Sequence, residues 1–98
     1  NSTGQGAGPV DYQEVTMKVY SSSFEPNKFT VKAGTPVKWT IVGAEVSGCS
    51  NEVIMPQFGI DVKIATGETK SVVFTPDEPG KYSFSCWMNM IHGEFDVV

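Results

Sequence analysis

Phe29-Thr30-Val31-Lys32-Ala33-Gly34-Thr35-Pro36-Val37-Lys38-Trp39-Thr40-Ile41 is the stretch that decides the fold class. Phe29 and Val31 alternate with Thr30 and Lys32, and Val37, Trp39 and Ile41 alternate with Lys38 and Thr40. A period of two belongs to an extended chain with one apolar and one wet face, whereas an amphipathic helix repeats its apolar residues every three or four positions. Between the two runs Ala33-Gly34-Thr35-Pro36 is a turn, because Gly admits positive φ and Pro presets the backbone that enters the next strand.

The same pattern extends outward in both directions. Upstream, Val15, Met17 and Val19 alternate with Thr16, Lys18 and Tyr20. Downstream follow Val53 to Met55, Ile60 to Ile64, Ser71 to Thr75, Lys81 to Cys86 and Phe95 to Val98, with Thr66-Gly67-Glu68 and Pro76-Asp77-Glu78-Pro79-Gly80 as turns. About eight strands with turn signals every eight to twelve residues predict an all-β Greek-key sandwich or barrel. No internal repeat is visible, which excludes solenoids and propellers.

At 98 residues and 10.6 kDa the chain makes one domain, and 40% hydrophobic with 18% charged residues lies in the globular range. Eleven acidic residues face seven basic ones, all Lys, for a net charge of -4. With no guanidinium and no basic cluster, nucleic acid is not an expected partner. No run approaches the roughly 18 apolar residues of a membrane helix, so the chain reads as a soluble monomer. Residues 1–14 are rich in Gly, Ser, Thr, Gln and Asn, with no Lys and only Val10 and Tyr12 as sizeable apolar groups. They read as a flexible tether to the cell membrane, leaving 15–98 as the folded domain. The missing positive charge tilts the expected side toward the extracytoplasmic face, with the cytoplasmic face still open.

The residues that carry chemistry gather in two places, Ser47-Gly48-Cys49-Ser50-Asn51-Glu52 and Ser85-Cys86-Trp87-Met88-Asn89-Met90-Ile91-His92-Gly93. Both cysteines, two of the four methionines and the single histidine are among them. Thiolate and thioether sulfur are polarizable donors suited to monovalent copper and poorly suited to calcium, magnesium or manganese. A structural zinc site normally takes four Cys or His ligands, and only three such residues exist here. Cys86, Met88 and Met90 are spaced by two, so an extended segment directs their sulfurs to one side and Trp87 and Asn89 to the other; a looped segment can converge them too.

Each feature also has a plainer use. Two cysteines in a small sandwich often form a disulfide. The immunoglobulin pattern fails, because Trp39 precedes Cys49 and Phe84, not Tyr, stands two before Cys86. Methionines are commonly core filler, the reading given to Met17 and Met55. His92 is open to three readings: ligand, capping group or exposed bystander. Glu52 is either solvated or a gatekeeper near the metal.

The run Phe24-Glu25-Pro26-Asn27-Lys28-Phe29-Thr30-Val31-Lys32-Ala33-Gly34, then Val37-Lys38-Trp39, then Phe74-Thr75-Pro76 to Pro79-Gly80-Lys81-Tyr82, ending in the cysteine loop, resembles a cupredoxin over nearly everything after residue 14. Within that superfamily, Cys86-x-Met88-x-Met90 paired with Cys49 is similar to the CupA-type copper(I) chaperones and to the cupredoxin-like domains of copper-exporting membrane transporters. The resemblance implies a cupredoxin-like sandwich, copper(I) held by Cys49, Cys86, Met88 and Met90, and a copper-transporting membrane ATPase or another copper carrier as partner.

The chain departs from ordinary blue-copper cupredoxins, in which histidine takes the place of Cys49 and a second histidine follows the loop cysteine. A blue-copper centre needs two imidazoles, one thiolate and a weak axial ligand. One histidine cannot supply two imidazoles, and a second thiolate with two thioethers favours the reduced ion. Two thiolates carry -2, so one copper(I) leaves -1 in a partly desolvated pocket and two leave it neutral. That arithmetic suits a two-copper cluster bridged by Cys49 and Cys86, with Met88 and Met90 completing the outer ion. Copper binding and transfer, with no enzymatic activity, is therefore the expected function; no Ser-His-acid set can form when the lone histidine sits in the sulfur loop. The rival readings are an electron-transfer cupredoxin with an atypical site and a structural sandwich closed by a Cys49–Cys86 disulfide.

Overall fold

The computed structural model describes residues 12–98, apart from the side chain of Cys49. Over these residues the chain forms nine strands and two short 3-10 turns, with no α-helix. The strands are β1 (Gln13–Val19), β2 (Phe24–Glu25), β3 (Lys28–Val31), β4 (Val37–Gly43), β5 (Glu52–Met55), β6 (Ile60–Lys63), β7 (Thr69–Phe74), β8 (Gly80–Cys86) and β9 (His92–Val97). The 3-10 turns, Gly48–Asn51 and Pro56–Phe58, flank β5.

Two sheets face each other, one ordered β2-β1-β4-β7 and the other β3-β9-β8-β5-β6. β1 runs parallel to β4 and β9 parallel to β3, while every other pair is antiparallel. The architecture is the all-β sandwich that the alternation predicts, with mixed rather than purely antiparallel sheets.

The alternation works as expected because each sheet turns one face inward. Along β4, Val37, Trp39 and Ile41 are wholly buried, and the Trp39 ring packs against Phe84 at 4.7 Å, edge-on to Phe95 at 5.0 Å and near Phe74 at 6.5 Å. Phe95 in turn stacks on Phe29 at 5.1 Å. These rings bring residues of β3, β4, β7, β8 and β9 into one core, and edge-to-face contacts of this kind add about 0.5–1.5 kcal/mol per pair beyond area burial. Met17 and Met55 are wholly buried in the same core, the filler role given to them.

One boundary differs from the expectation, and one short strand was not foreseen. Gln13 and Glu14, assigned to the tether, are the first residues of β1, and the rest of that segment through residue 11 lies outside the described residues. Gln13 is held by its own polarity: its backbone N–H donates to Pro36 O at 2.9 Å, its side-chain oxygen accepts from Lys32 N at 2.6 Å, and its amide nitrogen donates to Lys32 O at 2.9 Å and Thr35 O at 3.2 Å. A carboxamide thus fastens β1 to the turn between β3 and β4, a contact that hydropathy does not register. Phe24–Glu25, only two residues long, pairs with the end of β1 and is too short for alternation to disclose.

Gly93 is required by close approach. A Cβ there would run into the Phe84 ring and lie 2.7 Å from Asn27 O, so β9 can cross the core ring below Cys86 only without a side chain. The end of β8 and the start of β5 are paired through Val53 opposite Cys86, which puts both cysteine-bearing segments at the same end of the five-stranded sheet.

Candidate metal centre

Cys86 is the last residue of β8. The pleat turns Phe84 and Cys86 toward the core and Ser85 away, leaving Cys86 1% exposed. The chain then folds back on itself: Asn89 N–H donates to Cys86 O at 2.9 Å, and Cys86 N–H donates to Ile91 O at 3.0 Å. Asn89 takes the left-handed conformation, φ 60°, which Asn tolerates better than most residues. The reversal aims two further backbone donors at the sulfur, Met90 N at 3.3 Å and Ile91 N at 3.4 Å from Sγ. Donors converging on one sulfur stabilise negative charge there, offsetting the resistance of an apolar surrounding to a thiolate.

The extended reading of Cys86-x-Met88-x-Met90 is overturned by this reversal: the segment is a tight turn, and spacing by two no longer assigns side-chain direction. Cys86 faces inward, while Trp87, Met88 and Met90 are 52%, 50% and 69% exposed on the turn. The looped arrangement, also foreseen, is the one adopted. Exposed, unbranched thioethers keep their rotamer freedom and can swing onto a soft ion above a fixed sulfur.

The opposing segment is the 3-10 turn Gly48–Asn51. The side chain of Cys49 lies outside the described residues, but its backbone is part of this turn. Ser47 and Ser50 lock the turn reciprocally: Ser47 N–H donates to Ser50 Oγ at 3.0 Å, and Ser50 Oγ–H donates to Ser47 O at 2.8 Å. Ser50 is wholly buried, and Gly48 supplies a positive φ of 58°. Thr66 Oγ1 accepts from Val46 N at 2.9 Å, tying the approach to the turn between β6 and β7. The two loops are joined directly by Trp87, whose indole N–H donates to Asn51 Oδ1 at 3.1 Å. Trp87 and Asn51 also line an open groove of about 700 Å³ shared with Val46, Ser47, Gly48 and Glu52.

Glu52 and His92 have partners of their own. Val53 and Cys86 are opposite each other on the inner face, so Glu52, one residue earlier, projects from the outer face, where its register partner is Lys63. A hydrogen bond to Asp61, partial burial and the Asp61 charge raise the Glu52 carboxyl above its usual 4.5, while Lys63 opposes the shift. Asp61 and Lys63 are thus the charged neighbours of the Glu52 carboxyl on the outer face. His92, exposed at the start of β9, donates from Nε2 to Asn89 Oδ1 at 2.8 Å and so braces the same left-handed residue that closes the loop.

Among the described residues no three His, Cys, Asp or Glu side chains converge as a metal-binding group. Cys86, Met88 and Met90 share one turn, and sulfur is the donor type that fits a soft ion. The supporting residues Ser47, Ser50, Asn51 and Asn89 were not singled out from the sequence. Ser47-x-x-Ser50 after Val46 carried a capping-type signal that marks such a turn, whereas the Asn51–Trp87 contact spans 36 positions and has no local signature.

The profile of the cupredoxin-like domain matches residues 3–97. Two solved structures are similar at 30% identity. One is the metal-binding domain of the Streptococcus pneumoniae D39 Cu(I)-exporting P-type ATPase CopA with Cu(I), at TM-score 0.81 over 87% of this chain and 84% of that one. The other is a copper binding protein in its apo form, at TM-score 0.82 over 97% and 93%. Auracyanin B shares the fold at 14% identity and TM-score 0.67, covering 100% of this chain and 94% of its own. The curated nitrous-oxide reductase of Stutzerimonas stutzeri is 29% identical over 75 residues, 71% of this chain, and the chain spans only 12% of that protein's length. By its profile match and its sandwich, the chain belongs to the cupredoxin-like domain family.

Proposed function

We propose that this domain binds copper(I) through sulfur and hands it to, or takes it from, a copper-transporting membrane ATPase or another copper carrier. The observation that carries the reading is Cys86 Sγ, fixed at the core edge by two backbone donors and followed by two exposed thioethers on the same turn. Cys49, on the turn clipped to that loop, supplies the second thiolate. Met88 and Met90 close over the ion and, being exposed, are also the first sulfurs an incoming acceptor meets. Two thiolates and two coppers balance in charge, so the loaded site is binuclear. Similarity to the Cu(I)-binding domain of the CopA exporter supports both the ion and the kind of partner.

An electron-transfer role finds less support, because the chain holds a single histidine and no second imidazole exists to serve divalent copper. The domain works without catalysing a reaction of its own, tethered to the cell membrane with the extracytoplasmic face favoured by the absence of Lys from residues 1–14. The test is a copper(I) titration of the reduced protein against a competing chelator, alongside addition of copper(II). Tight binding of two copper(I) ions and no intense visible charge-transfer band with copper(II) are expected. A strong band with copper(II), or no copper(I) retained by the reduced protein, refutes the proposal.

A further inference from the structure

The ladder between β5 and β8 ends at Val53 opposite Cys86, so beyond this pair the sheet no longer holds the two cysteine-bearing segments together. Just past its end, the indole N–H of Trp87 donates to Asn51 Oδ1 at 3.1 Å. Each partner is fixed on its own side. Asn51 closes the serine-locked turn, and its backbone carbonyl accepts from Ile64 N at 2.9 Å. Trp87 follows Cys86 directly, ahead of the left-handed Asn89. Both side chains are exposed, so neither is needed to fill the core.

We infer that Asn51 and Trp87 are the positioning pair of the sulfur site: their hydrogen bond is a clasp that holds the turn bearing Cys49 against the loop bearing Cys86 and limits how fast the site opens. A ligand bridging two loops is retained only while the loops keep their separation, so a clasp at the mouth governs escape more than it governs folding. Copper enters the inference through the reading proposed above; the clasp itself is a property of the metal-free chain.

The test uses the reduced 98-residue chain and three variants. Trp87→Phe keeps a ring and removes the donor, Asn51→Ala removes the acceptor, and Asn51→Asp restores an acceptor oxygen. Without metal, the rate of carbamidomethylation of Cys86, read by peptide mass, is expected to rise about two- to tenfold in Trp87→Phe and Asn51→Ala, the range of one net hydrogen bond. It is expected to stay at the parental value in Asn51→Asp, with the unfolding free energy of Trp87→Phe and Asn51→Ala in urea lowered by no more than that same hydrogen bond and that of Asn51→Asp unchanged. The double variant Asn51→Ala/Trp87→Phe should react no faster than either single one. With copper(I) loaded, release to a chelator should follow the same order. Parental alkylation rates in both single variants, full additivity in the double, or no rescue by Asp would overturn the clasp. If alkylation follows the expected order while no variant or parent retains copper(I), the clasp stands and the copper reading falls.

Discussion

Replacing Cys86 by Ala separates the role of its sulfur in the fold from its role toward a metal. The side chain is 1% exposed and accepts from two amides, of which the Ile91 N–H is buried and the Met90 N–H is only partly so. Water can reach the Met90 amide, which leaves one buried donor without an acceptor, at about 1–3 kcal/mol. The space left by one sulfur adds about 1 kcal/mol. The metal-free Ala variant should therefore lose about 2–4 kcal/mol, which for a domain of this size lowers the melting temperature by on the order of 10–25 °C. Cys86→Ser keeps an acceptor on a shorter bond and should lose roughly half as much. Urea unfolding of reduced, metal-free protein measures both. Neither variant should hold copper(I) tightly. An Ala variant within about 0.5 kcal/mol of the parent would show that the loop does not hang on the sulfur.

Other outcomes follow from the same geometry. Met88→Val/Met90→Val, altering two exposed side chains, should leave stability within about 0.5 kcal/mol while lowering copper(I) stoichiometry from two toward one in a chelator-competition titration. Gly93→Ala pushes a methyl group into the Phe84 ring and toward Asn27 O, and should cost about 3 kcal/mol or more in urea unfolding; a neutral result would mean β9 can shift freely. Because the folded-state pKa of Glu52 is raised above 4.5, its contribution to stability is fullest below that pH and is lost as pH rises through the folded value. Relative to Glu52→Gln, the parent should lose ground as pH rises above 4.5, and a pH-independent difference in denaturation midpoint would contradict the influence of Asp61 on Glu52.

What the sequence disclosed was what hydropathy can encode. Val37, Trp39 and Ile41 announce a buried strand face because burial repeats every second residue, and that face lies in the core. The polar anchors were hidden. Gln13 looks like tether composition until its carboxamide is seen bridging Lys32 and Thr35. The spacing of Met88 and Met90 imitates a strand, yet one left-handed residue, Asn89, and the hydrogen bond from its N–H to Cys86 O turn the segment into a loop. The neighbours of Glu52 depend on the register that sets Ile54 opposite Asp61, and register is a property of paired strands rather than of either segment alone. The candidate sulfur residues could be named in advance because residue type fixes their chemistry wherever the chain places them.

The coordination of the loaded site is the most direct test of the central claim, and X-ray absorption at the copper edge reads it. On reduced protein saturated with copper(I), a coordination shell dominated by sulfur together with a short copper-to-copper vector is expected from Cys49, Cys86, Met88 and Met90. A shell with two nitrogen scatterers and no metal neighbour would contradict the sulfur cluster and the transfer function built on it.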